Sequence, residues 1–96
     1  MREVVITETA KIDLEFIATF LEINYSSRVK MDFLVKFTEQ ILLIEKMPFM
    51  YQASTSNPLV RRCVVHKNAS FFYKVTDEHI FILSIVDTRS DNSGLV

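Results

Sequence analysis

Five basic side chains stand close together in the second half of this chain: Arg61, Arg62, Lys67, Lys74 and Arg89. From Leu59 to Thr76 every charge is positive, and His66 lies among them. Guanidinium and ammonium groups gathered on one surface hold phosphate or carboxylate oxygens through charge-assisted hydrogen bonds. An imidazole beside them adds a proton donor or acceptor near neutral pH. The chemistry on offer is anion recognition, toward a phosphate backbone or a carboxylate-rich partner. His66 and His79 each flank a turn, where a solvated surface role is the plainer reading. Cys63 falls in the middle of an apolar run and reads as a small buried hydrophobe, not a thiolate. The carboxylates at Glu15, Glu22, Asp32, Glu39 and Glu45 alternate with lysines and read as wet helix faces. No nucleophile motif, Gly-rich phosphate loop or zinc spacing occurs, and the lone glycine, Gly94, sits near the C-terminus. No metal and no cofactor are expected.

The arginine pair poses a question of geometry. Neighbours on a strand point to opposite faces, so Arg61 shares a face with Cys63 and Val65, and Arg62 with Val60, Val64 and His66. One arginine must therefore enter a face that ought to be core. Either it pairs with an acid such as Asp87 at a sheet edge, or it belongs to a basic surface left open for a partner.

The elements that position these residues follow from periodicity. Residues 3–7 (EVVIT) read as a first strand. From Thr9 to Asn24 the period changes: Ala10, Leu14, Ile17, Ala18 and Leu21 form one helical stripe, with Thr7 or Thr9 as N-cap. Phe16, Phe20 and Ile23 broaden that stripe, so cover on more than one side is expected. Ser26 or Ser27 caps a second helix in which Val29, Phe33, Phe37, Ile41 and Ile44 keep helical spacing to Met47, and Pro48 stops it. Residues 48–58 hold both prolines and form the one loop of any length. Strand-like runs follow at 59–66, 70–76 and 79–86, joined by turns at 66–69 and 76–79. The last run is apolar almost throughout and belongs in the middle of a sheet. The order β-α-α-β-β-β predicts an α+β fold, a helical hairpin packed on one face of a mostly antiparallel sheet. The opposite sheet face is left open.

At 96 residues the chain is one domain, 1–96, and 49% apolar with eight Phe is enough for a compact aromatic core. A single cysteine excludes an internal disulfide and fits a reducing compartment. No leader is evident, and no apolar run approaches the ~20 residues of a membrane span, so a cytoplasmic protein is expected. Net charge is −1, which argues against a general nucleic-acid binder despite the local basic patch.

The ordered combination "VVITETAKIDLEFIATFLE", "LLIEKMP" and "VRRCVVHKNASFFYKVTDEHIFILSIVDTR" resembles the RelE/ParE superfamily, the toxins of type II toxin–antitoxin modules. Ala10, Asp13, Leu14 and Ile17 match its A-x-x-D-L-x-x-I helix pattern, and Arg89 its arginine closing the last strand. The resemblance implies a bacterial toxin that inhibits growth and takes part in plasmid stabilization, forming a hetero-oligomer with a cognate antitoxin. It also implies one of two targets. ParE-like members poison DNA gyrase; RelE-like members are metal-independent endoribonucleases acting on mRNA in the ribosome. In the second case Arg61 and Arg89 would neutralise phosphate charge and His66 would supply acid–base function, while Tyr73 stays in the core. The nucleases usually have an arginine opening the third strand, where this chain has Ser70, and a tyrosine or histidine after the final arginine, where it has SDNSGLV. These departures favour the ParE-like reading. A third reading is a non-toxic remnant that only binds the antitoxin.

Overall fold

Thr7 and Ser26 set the start of the two helices in the computed structural model, which describes residues 1–90. The hydroxyl of each accepts the amide N–H three residues on, from Ala10 at 3.3 Å and from Val29 at 3.1 Å. Those bonds satisfy donors that the first helical turn leaves unpaired. The elements are β1 (Glu3–Ile6), α1 (Glu8–Asn24), α2 (Ser27–Lys46), β2 (Val60–His66), β3 (Ala69–Val75) and β4 (His79–Asp87). The expected α+β order is present. The tail after Ser90, including Gly94, lies outside the described residues.

The sheet runs β1-β4-β3-β2. β1 pairs with β4 in parallel, and the other two pairs are antiparallel. β4 is interior to the sheet, as its apolar run predicts. Ala10, Ile17 and Leu21 of α1 and Phe33, Phe37 and Ile44 of α2 meet Cys63, Phe71, Tyr73, Ile80, Ile82 and Ile85 of the sheet in one buried core. Phe33, Phe37, Phe71 and Tyr73 form a chain of ring contacts through its centre, with centroids 5.5–6.3 Å apart. The expected cover on several sides of α1 is not found. Phe16 and Ile23 remain 46% and 75% exposed, because α1 packs on α2 and β4 along one stripe only.

Two side chains tie α1 to β4. The Thr7 hydroxyl donates to the Ile82 carbonyl at 2.7 Å, and the Asp13 carboxylate accepts the Ile85 amide at 3.0 Å. The second bond lies just beyond a register shift between Phe72 and Tyr73 that leaves Leu83 out of the β3–β4 ladder. An irregular strand frees backbone donors, and Asp13 binds a nearby one.

Candidate functional site

The five basic residues do not share one surface. Alternation along β2 puts Arg61 on the helix-covered face with Cys63, and Arg62 on the open face with Val64. Arg61 is held by the loop between α2 and β2. Its Nη1 donates to the Tyr51 carbonyl at 2.5 Å, its guanidinium lies 5.0 Å from the Phe49 ring centroid, and its backbone bridges to Ala53. Arg2 stacks near the same ring at 5.4 Å. That answers how a charge enters the core face: Arg61 sits at its margin, bonded to a carbonyl and an aromatic face, and not to an acid.

Arg62 donates from Nε to the Ser70 hydroxyl at 3.1 Å across the β2–β3 pair. Lys74 lies 5.8 Å over the Phe81 ring on the same open face. Neither Arg61 nor Arg62 meets Asp87, contrary to the pairing considered from sequence. Arg89 does. Asp87 is fully buried and accepts from the Arg89 backbone N–H at 2.7 Å, from Nε at 3.2 Å and from Nη2 at 2.8 Å. Asp87 ends β4 and Arg89 lies in the turn that follows, so the turn folds the guanidinium back onto the carboxylate two residues before it.

His66 joins this pair through a backbone irregularity. The β2–β3 register shifts between Val64 and His66, so the imidazole turns toward α2 and does not follow Val64 onto the open face. Its ring packs edge-on against Phe33 at 6.3 Å, and Nε2 lies 2.7 Å from Arg89 Nη2. Nδ1 lies 3.1 Å from the Asn68 amide; both neighbours are donors, so a neutral ring accepts from one of them and not from both. Burial first, then the positive charge of Arg89, hold the imidazole below its ordinary value of 6.5, so it is neutral at pH 7. His66, expected as a solvated turn residue, is half-buried and part of a constellation.

The constellation borders a groove of about 280 Å³ lined by Asp32, Lys36, His66, Lys67, Asn68 and Arg89. A second cavity of about 490 Å³ continues from Arg89 along α2, past Asp32 and Val35 to Arg28 and Met31. Three cations, one carboxylate and a neutral imidazole at its edge suit an anionic ligand, with His66 as a potential proton acceptor. Of the sequence-predicted site residues, Lys67, Arg89 and His66 come together here, while Arg61, Arg62 and Lys74 lie elsewhere. Asp32 and Lys36 of α2 enter the site unforeseen, since a helix face seen alone carries no sign of what packs beside it. Cys63 is buried, and burial pushes its thiol up to about 11. Tyr73 is buried, with its hydroxyl donating to the Pro48 carbonyl at 2.8 Å, and burial raises it to about 12. Both are core groups. Among the described residues no three His, Cys, Asp or Glu side chains gather as metal ligands. No helix among them is long and apolar enough to cross a membrane.

No family model and no curated protein matches the chain. Solved structures do. A chain described as the chromosomal ParDE TA system from P. aeruginosa superposes with a TM-score of 0.77 at 19% identity, covering 91% of this chain and 96% of that one. A copper-bound mutant toxin from Helicobacter pylori gives 0.66 at 16% identity, with both chains covered fully. YafQ from E. coli gives 0.59 at 15% identity, covering 94% and 97%. The chain has the RelE/ParE fold over nearly its whole length.

Proposed function

We propose that this chain is the toxin of a type II toxin–antitoxin module, a growth inhibitor neutralised by a cognate antitoxin, acting in the ParE-like manner on DNA gyrase. The observation that carries the toxin reading is the near-complete overlap with a chain of a ParDE system, at a TM-score of 0.77. The dispersal of the basic residues supports the ParE-like target. A nuclease needs several cations converging on one phosphate. Here Lys36, Lys67 and Arg89 share a groove with the carboxylate of Asp32, while Arg61 is engaged by the 48–58 loop, Arg62 by Ser70, and Lys74 stands on the opposite sheet face. The open face, with Arg62 and Lys74 among Val64, Phe72 and Phe81, suits an acidic and partly apolar antitoxin segment.

One observation favours the RelE-like reading. His66 and Arg89 form a neutral base beside a fixed cation at the edge of a groove. On RNA, His66 would take the proton of a ribose 2′-hydroxyl as that oxygen attacks the adjacent phosphorus, and Arg89 would neutralise the charge gathering on the phosphate oxygens. The P–O5′ bond would break as the 5′-oxygen takes a proton from water, giving a 2′,3′-cyclic phosphate and a 5′-hydroxyl. Adding the purified protein to a gyrase supercoiling reaction and to programmed ribosomes separates the two. Inhibited supercoiling with trapped gyrase–DNA complexes supports the ParE-like reading. Codon-dependent mRNA cuts that vanish in His66→Gln replace it with the second. Inactivity in both assays, with antitoxin still bound, would leave the binding remnant.

A further inference from the structure

The outward face of α2 carries an apolar seam that nothing among the described residues covers. Met31, Val35 and Leu42 are 51%, 51% and 54% exposed, and Thr38 is exposed between them. Their spacing of four, three and four residues is that of a helix–helix contact line. The Thr38 hydroxyl is spent on the Leu34 carbonyl at 2.9 Å, which lowers the cost of covering it. The same line continues one step each way, to Arg28 at the N-terminal end and Glu45 at the C-terminal end. Neither side chain enters an ion pair among the described residues.

We propose that this face binds a second copy of the chain, with α2 lying antiparallel against α2 of its twin about a two-fold axis. The observation that selects a second copy is self-complementarity. In the antiparallel register that sets Val35 against Thr38 of the twin, Met31 falls on Leu42 and Arg28 on Glu45. Each contact occurs twice by symmetry, as an isologous interface requires. The cavity beside Met31, Val35 and Arg28 then receives Leu42 of the second copy, and Arg28 meets a carboxylate. At the ends, exposed Met47 of one copy approaches exposed Tyr25 of the other and lengthens the contact. α1 bears a seam of equal spacing in Ile12, Phe16, Thr19 and Ile23, but the positions three residues beyond its two ends hold Thr9 and Ser26, which carry no charge to match in the equivalent pairing. A seam about 26 Å long is smaller than a standard interface, so association on the order of micromolar is expected.

The test is sedimentation equilibrium of the full chain across the micromolar range, with folding checked by thermal unfolding. Wild type should dimerise. Arg28→Glu and Glu45→Arg should each weaken the dimer about tenfold, and the double reversal should restore it to within about threefold, since two symmetric pairs change together. Val35→Glu should leave a monomer, while Phe16→Glu on α1 should leave the dimer intact. A wild-type monomer throughout, a dimer indifferent to charge reversal, or a dimer lost in Phe16→Glu overturns the proposal. So does a monomer whose α2 seam proves to be the antitoxin's site, seen as antitoxin binding lost in Val35→Glu.

Discussion

Replacing Asp87 by Ala should cost about 3 kcal/mol of folding stability, and the structure explains why. Asp87 is fully buried and takes three hydrogen bonds from Arg89, one from its backbone and two from its guanidinium. Removing one member of a buried ion pair typically costs ~3–5 kcal/mol, because the surviving charge keeps its desolvation penalty without its partner. The Arg89 side chain retains 19% exposure, so it can rotate into the groove and recover some hydration, which favours the lower end. Loss of the acceptor for the Arg89 amide, about 1 kcal/mol, is contained in that figure. For a domain of this size the loss lowers the melting temperature by roughly 15 °C. Urea unfolding followed by circular dichroism measures it, read from the midpoint at constant m. Asp87→Asn, which keeps shape but not charge, should cost about half as much. A double-mutant cycle with Arg89→Met should return a coupling above about 1 kcal/mol. A loss below about 0.5 kcal/mol for Asp87→Ala, or no coupling to Arg89, would show that this pair does not anchor the end of β4.

Three further outcomes follow from the contacts described. Arg61→Met should destabilise by about 1–2 kcal/mol through the lost Tyr51 bond and Phe49 stacking, and limited proteolysis should then cut within residues 48–58 before any other site. His66 is held below 6.5, so as pH falls through that value the unfolded chain takes up its proton first and stability declines. The difference between wild-type and His66→Gln melting profiles from pH 8 to pH 5.5 should show that loss, and parallel profiles would refute it. Cys63, buried and pushed up to about 11, should resist a thiol reagent at pH 8 in the native protein and react fully in denaturant; rapid native labelling would contradict its placement.

Helix limits, both caps and the interior place of β4 were legible because they rest on local chemistry. Hydroxyl side chains stand where helices begin, apolar residues recur at the helical period, and a strand apolar on both faces needs neighbours on both sides. The site was legible only in its ingredients. Strict alternation placed His66 with Val64, and a single extra residue in β2 moved it to α2 and Arg89. Register shifts of this kind follow from how two strands meet, which no single strand's pattern reveals. The basic residues were read as one surface because they are near in sequence, yet alternation and the strand ends scatter them over two faces and a groove. Asp13 shows the reverse case. Its place in a family-like pattern drew notice first, and its bond to the Ile85 amide supplies the physical reason.

The parallel pairing of β1 with β4 has a consequence for how the molecule is made. Glu3 lies against His79 and Ile6 against Ile82, and the side chains that seat α1, Thr7 and Asp13, reach for Ile82 and Ile85. The sheet pairing of β1 and both side-chain bonds that tie α1 to the sheet are therefore found in the last strand. While the polypeptide emerges from the ribosome, the α1–α2 and β2–β3 hairpins can close early, but β1 must wait for β4 before it has a strand to pair with. A chain interrupted before His79 has no sheet edge to receive β1 and no Arg89 to complete the groove. Order at the groove and completion of the sheet thus arrive in one late step.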